Sequence, residues 1–397
     1  SAAGTSSPIC PNGTIASGGT TSTSGTPCTV SFPAFSCAVK APTTSGMFPS
    51  TVSWRSSGGP SGTVSASENS DEIQVVTAAP SGNENSENTS EDSMDNPPSN
   101  EEKVTIKLGL MSGVNSYVVT HLMDSNDTND SYEKYEFIQG NTVSQLCEKL
   151  KNGEIDAATL PIDVATRLYN ETGKVKLVAT SSACNYYVAS VGESVKGVTG
   201  LAGKTLTVAK DDLLAKSVID TILKAQNVTN CTINYADSTD AIVKGLSDGS
   251  IKLALIQEPF LSQATANNPN VSLAIDLYDD WDDAAGGIEL PTGCLVVNSD
   301  FFGSNPKAVS YFLKDFDASV NMSRHSIDET AQMAERYKMV SSASIAKSAI
   351  PGSSISISIG DKMKTTVSDF LNLMNKNDPA VIGNKIPDEN FYYIDGK

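Results

Sequence analysis

Histidine is nearly absent from this chain: His121 and His325 are the only two in 397 residues. Neither stands in a Gly-x-Ser-x-Gly or triad context, so serine hydrolysis is poorly supported and each reads as a surface or capping residue. Positive charge is also short, with 28 Lys and Arg against 46 Asp and Glu and a net charge of −18. Such a surface repels phosphate backbones and anionic lipid heads and offers no basic patch for counterion release, which argues against nucleic acid as a partner. No stretch approaches the roughly 18 apolar residues of a spanning helix. The seven cysteines (Cys10, Cys28, Cys37, Cys147, Cys184, Cys231 and Cys294) are odd in number and lack CxxC spacing, which supports neither a disulfide framework nor a zinc site. They read as buried or leader cysteines.

What is abundant first is Ser, Thr, Gly, Pro, Asn and Glu. Residues 1–102 carry no apolar period that could offset chain entropy and are expected to form a disordered leader, Ser/Thr/Gly/Pro-rich to about Ser67 and acidic from Glu68 to Glu102. The acidic part is similar to the stalks that link a membrane anchor to an exported domain. Cys37, in Ala-Phe-Ser-Cys, is faintly like a lipid-attachment box, although no long apolar run precedes it. Beginning at Ser1 rather than Met, the chain is expected to be a processed product or a fragment.

From Lys103 onward strands and helices alternate. Val104–Leu110, Tyr135–Ile138, Ile155–Leu160 and Val175–Thr180 read as strands, with helices over Val114–Met123, Thr142–Asn152 and Asp163–Tyr169. After the extended segment Asn185–Val191 the pattern repeats through strands Thr205–Ala209, Thr232–Tyr235 and Leu253–Ile256 and helices Asp212–Ala225 and Thr239–Leu246. Val271–Leu277 and Cys294–Asn298 supply two more strands. Two successive sets of helix-separated strands imply two α/β lobes with parallel sheets. The remainder is helical: Asn305-Pro306 reads as a cap before an N1 proline, Ser326 with Glu329 as a capping box, and Asp361–Met374 as a final amphipathic helix.

Candidate chemistry sits at the strand ends. Gly109-Leu110-Met111-Ser112-Gly113 fits neither a phosphate loop nor a dinucleotide fingerprint, but it offers backbone N–H groups beside a helix start, which favours binding without catalysis. Asp211-Asp212 either caps the following helix or faces a cleft and repels anions. Glu258-Pro259 is either a ligand contact or a hinge-side structural turn. Asp279, Asp280, Asp282 and Asp283 around Trp281 lack EF-hand spacing and read as a solvated acidic loop, so no metal and no cofactor is expected.

Several stretches in order and at the right spacing, KVTIKLGLMSGV, KLKNGEIDAATLPIDVATRLYN, GLAGKTLTVAKDD, IKLALIQEPF, LPTGCLVVNSDFFGSNPKAVSYFLKDFDASV and IPDENFYY, resemble the solute-binding proteins of ABC importers in the nitrate, sulfonate, taurine and thiamine-precursor group. The resemblance covers residues 103–397. It implies a two-lobed periplasmic-binding-protein-like fold of type II: lobe 1 over 103–190 completed by 296–397, lobe 2 over 191–295, and Asn185–Val191 and Cys294–Asn298 as hinge strands. Carried over by position, the ligand-binding residues would be Met111, Ser112, Gly113, Val114, Leu160, Pro161, Ile162, Ser181, Ser182, Lys210, Asp211, Asp212, Gln257 and Glu258, with no catalytic residue. Sulfonate and nitrate binders usually place a small neutral turn or a positive group where this chain has Ala209-Lys210-Asp211-Asp212, which points to a neutral or amine-bearing organic ligand such as a pyrimidine. The implied function is non-enzymatic: a monomeric, bacterial, extracytoplasmic lipoprotein, at the cell surface or in the periplasm, that passes a small molecule to an ABC permease and its ATPase. The alternatives are a ligand-binding sensor, or an enzyme of pyrimidine or thiamine-precursor chemistry using Cys184 or Cys294 near the hinges.

Overall fold

The computed structural model describes residues 102–111 and 116–394 and, before them, five short strands. The chain divides into two compact units, Ser1–Asp92 and Ser93–Lys397. In the first, β1 (Cys28–Ser31) pairs antiparallel with β2 (Ser36–Val39), and β3 (Thr51–Trp54), β4 (Gly62–Ala66) and β5 (Ile73–Thr77) form an antiparallel meander. These are the Thr- and Val-bearing stretches of the leader, the residue types that favour strands. The rest of the expected tether lies outside the described residues.

The second unit begins with β6 (Thr105–Leu110), α1 (Thr120–Asp127), β7 (Lys134–Gln139), α2 (Val143–Asn152), β8 (Ala157–Pro161), α3 (Ile162–Thr172) and β9 (Val175–Ser182). It crosses to β10 (Tyr186–Val191), β11 (Thr205–Ala209), α4 (Leu213–Ala225), β12 (Thr232–Ala236), α5 (Thr239–Asp248), β13 (Leu253–Gln257), α6 (Phe260–Asn267), β14 (Val271–Asp276) and α7 (Tyr278–Ala285). It returns as β15 (Gly293–Asn298), α8 (Ser299–Ser304), α9 (Pro306–His325), α10 (Ile327–Arg336), α11 (Ala343–Ala349), β16 (Ile355–Ser358) and α12 (Gly360–Asn377). Local chemistry accounts for the boundaries. Thr142 caps α2 by accepting from Gln145 N–H, Gly153 ends it at φ 70°, and Ser238 caps α5 through Ala241 N–H.

The strands form two sheets, β16-β9-β15-β8-β6-β7 in lobe 1 and β12-β11-β13-β10-β14 in lobe 2. Both are mixed, a departure from the expected parallel sheets. β15 runs antiparallel between β8 and β9, and β10 antiparallel between β13 and β14, because each sheet accepts a strand arriving from the other lobe. The boundary expected at 190/191 accordingly moves: Tyr186–Val191 is a strand of the lobe 2 sheet, and residues 293–295 already belong to lobe 1. One hydrophobic cluster runs through both lobes, joining Leu146 and Leu160 to Val208, Leu214 and Ile219 through Met363, Phe370 and Met374 of α12.

Other local readings change with packing. The helix expected over Val114–Met123 starts later, at Thr120 after a 3₁₀ turn over Tyr117–Val119, and residues 112–115 lie outside the described residues. Asn305 precedes Pro306, but its side chain donates back to the Phe301 carbonyl at 3.2 Å instead of capping α9. Ser326 makes no side-chain cap on α10. The acidic loop is the helix α7, held by Trp281, which is 2 % exposed and donates Nε1–H to the Ile288 carbonyl at 2.8 Å. His121 is buried, not on the surface, with Nε2 2.8 Å from Thr330 Oγ1; burial lowers its pKa. Gly109 sits inside β6, where a Cβ would lie 2.5 Å from Ile155 Cδ1 and 3.0 Å from Leu146 Cδ2, so its smallness serves helix-on-strand packing.

Candidate functional site: the cleft between the lobes

The two crossovers, residues 183–185 and 286–292, are bonded to each other. Thr292 N–H donates to the Ser182 carbonyl at 3.0 Å, its hydroxyl donates to the Ala183 carbonyl at 2.7 Å, and the Ser182 and Thr292 hydroxyls lie 2.9 Å apart. The crossing point thus precedes β10 and β15, which are interior sheet strands and not the hinge strands the sequence suggested. Beside it the carboxyl ends of the strands bring polar groups of both lobes together, the place where open α/β sheets hold ligands.

On one flank the Tyr187 hydroxyl of lobe 2 donates to the Gly352 carbonyl of lobe 1 at 2.6 Å. Next to it Glu258, only 6 % exposed, accepts from Ser262 N–H at 3.0 Å and Ser262 Oγ at 2.9 Å. Burial raises the Glu258 pKa and the Ser262 bonds oppose the shift. Burial, with the Glu258 charge added, also pushes the Tyr117 phenol upward. Gln257 Nε2 donates to Asn185 Oδ1 at 2.8 Å, tying lobe 2 to the crossover.

On the other flank Asp212 both caps α4, accepting from Ala215 N–H at 2.8 Å, and takes the Tyr186 hydroxyl at 3.3 Å. Burial pushes its carboxyl up to about 7, with the Asp163 carboxylate of lobe 1 adding to the rise against the Ala215 bond. Asp163 is itself buried and held by Arg167 at 2.7 Å. Of the two readings of Asp212 the structure bears out the cap, and it places the same carboxyl where the Asp163 charge of lobe 1 reaches it.

The expected ligand residues separate into groups. Ser112, Gly113 and Val114 lie outside the described residues. Met111 and Pro161 are half-buried, and Ser181, Ser182, Asp212, Gln257 and Glu258 lie at the strand ends beside the crossovers. Leu160 and Ile162 are fully buried in the core, and Lys210 and Asp211 are exposed, Lys210 paired with Asp237 at 2.6 Å. Sequence reasoning missed Tyr117, Thr159, Asp163, Asn185, Tyr186 and Tyr187. The adjacent tyrosines in an apolar strand were the available signal, since buried phenols need partners. Cys184 and Cys294 are buried, and burial pushes the Cys184 thiol up to about 12 and raises Cys294 too, which makes both poor nucleophiles.

A separate groove of about 340 Å³ lies at the opposite ends of the lobe 1 strands, between Lys151, Asp156, Lys174 and Asn298. Its polar groups are already engaged, Asp156 with Lys107 N–H, Lys174 with the Lys151 carbonyl and Asn298 with the Leu150 carbonyl. Among the described residues no helix is long and apolar enough to cross a membrane, and no group of three or more His, Cys, Asp or Glu could hold a metal ion.

The fold is that of ABC-type binding components. An ABC transporter structure from Parabacteroides distasonis superposes with a TM-score of 0.61 at 19% identity, over 73% of this chain and 99% of that one. The ligand-binding component of an ABC-type import system from Staphylococcus aureus, solved with zinc bound, gives 0.59 at 14%, over 74% and 97%. The periplasmic aliphatic sulphonate binding protein SsuA from Escherichia coli gives 0.57 at 13%, over 70% and 93%. No curated protein sequence matches the chain. A family model does, over residues 106–375, from β6 into α12. On this two-lobed scaffold, the chain belongs to the family described as menaquinone biosynthesis.

Proposed function

We propose that this protein captures a small organic molecule between its lobes outside the cytoplasm and delivers it to an ABC permease driven by an ATPase. The observation that carries the reading is the paired crossover with polar side chains of both lobes gathered beside it, a geometry suited to closing on a ligand. Capture requires that ligand favour the closed form by contacts to both lobes, since equal affinity for open and closed forms shifts nothing. The likeness to binding components of ABC import supports the partner class. The acidic leader then serves as a stalk, lipid-anchored at the surface, for a monomeric domain.

A second reading, an enzyme on the same scaffold, is favoured by the family's description and by Asp212, whose carboxyl titrates near neutrality opposite Asp163 and so suits proton exchange. The experiment is to incubate the full chain with aminopyrimidines, taurine, alkyl sulfonates, nitrate and bicarbonate, and to follow thermal unfolding and the recovered solute by mass spectrometry. Capture predicts a raised midpoint with the solute recovered intact; conversion of the solute would establish the enzyme instead.

A further inference from the structure

We propose that the cleft is built for an uncharged ligand presenting carbonyl or hydroxyl oxygens, held by Tyr117, Thr159, Ser181 and Asn185; the inference rests on the cleft of the capture reading and names its cargo class. Each of the four residues is at most 2 % exposed. Each carries one polar side-chain atom with no hydrogen-bond partner: Tyr117 OH, Thr159 Oγ1, Ser181 Oγ and Asn185 Nδ2. They are four of the six such atoms among the described residues, the others being on Asn170 and Ser358. Buried polar groups are ordinarily paired, so four of them on β8, β9, the following crossover and the turn after β6 mark a place built for a hydrogen-bonding occupant.

Their positions support one site. Thr159 is the middle residue of β8, paired with Leu295, and Ser181 lies near the end of β9, next to the Ser182–Gly293 pair, so the two flank the same strand, β15. Asn185 follows in the crossover with Oδ1 already taken by Gln257, which leaves Nδ2 to donate. Tyr117 stands in the turn after β6, close enough to Glu258 to feel its charge. Three hydroxyls and an amide N–H₂ are rich in donors, and ligand oxygens are the matching acceptors.

Charge decides against an anion. The acids at these strand ends are the carboxyls of Glu258, Asp212 and Asp163. Arg167 is committed to Asp163 and to the Val381 carbonyl, each at 2.7 Å, and Lys210 is exposed and paired with Asp237. An oxyanion would find both of these cations already committed, whereas a neutral cyclic amide offers oxygens to the donors and an N–H to a carboxyl.

The test measures thermal unfolding of the full chain, Thr159→Val, Ser181→Ala and the double variant, alone and with uracil, thymine, cytosine, methanesulfonate, nitrate and benzoate. With no ligand added, both substitutions are expected to raise the midpoint by a few degrees, because each removes a buried unpaired hydroxyl. At least one pyrimidine is expected to stabilise the wild type while the oxyanions do not, with affinity falling about tenfold or more in the double variant. A lowered midpoint for both variants alone, stabilisation by an oxyanion, or no stabilisation by any pyrimidine overturns the proposal. Stabilisation accompanied by conversion of the pyrimidine would keep the ligand class and remove the capture reading, so the two fail separately.

Discussion

Asp212 is the residue at which stability and pH meet. In the folded chain it holds a proton up to about pH 7, whereas its ordinary value is 3.8. Between those values the folded state binds more protons than the unfolded one, so its contribution to stability is present at low pH and is lost as pH rises toward 7. Asn keeps the cap and cannot ionise. Asp212→Asn is expected to leave the unfolding midpoint unchanged near pH 4 and to raise it by several degrees at pH 8; parallel curves for the two proteins across this range would remove the assignment. Tyr187→Phe tests the opposite flank. It deletes the bond to the Gly352 carbonyl and should cost about 1 kcal/mol in denaturant unfolding. Gly352 is restricted for the same reason, since a Cβ there would meet the Tyr187 oxygen at 3.1 Å and Glu258 Cγ at 3.2 Å.

Among the elements, α12 connects the lobes. Met363, Phe370 and Met374 are fully buried in the cluster that also holds Leu214 and Ile219 of α4, and Ser217 Oγ on α4 lies 3.6 Å from Met374 Sδ. Phe370→Ala is expected to cost about 3–5 kcal/mol, read as a shift in urea midpoint without a second transition. A biphasic curve would show instead that the lobes unfold separately. The sequence made many elements legible because their signals are local: Thr205–Ala209 was read residue for residue, and Thr142 and Asp212 were placed at helix starts where they cap. Less legible was whatever depends on partners distant in the chain. Asn305 had a capping residue type but bonds back to the Phe301 carbonyl, Ser326 makes no side-chain cap, and the Asp-rich segment around Trp281 became helical because burying the indole outweighs the charge of its neighbours. The cleft was half visible for the same reason. Strand-end turns announce themselves through Gly, Pro and Asp, but nothing near Thr159 or Asn185 in sequence reveals that β15 and Gln257 will lie beside them.

For the whole molecule, the division at Asp92/Ser93 predicts that a chain starting at Ser93 melts at the same temperature as the full-length protein in circular dichroism. A fall of several degrees would assign the leader a stabilising role. The placement of β15 has a consequence for biosynthesis. It fills the middle of the lobe 1 sheet, yet it is made only after every strand of lobe 2. A ribosome adding about 5–20 residues per second needs on the order of 10 s to travel from Ser182 to Asn298. During that interval β8 and β9 have bare edges, the kind of surface that pairs with other chains, while lobe 2, contiguous from Tyr186 to Asp276, already has all its strands. The half of the protein synthesised first is therefore the half that folds last, and the nascent chain is most exposed to aggregation while its older strands wait for β15.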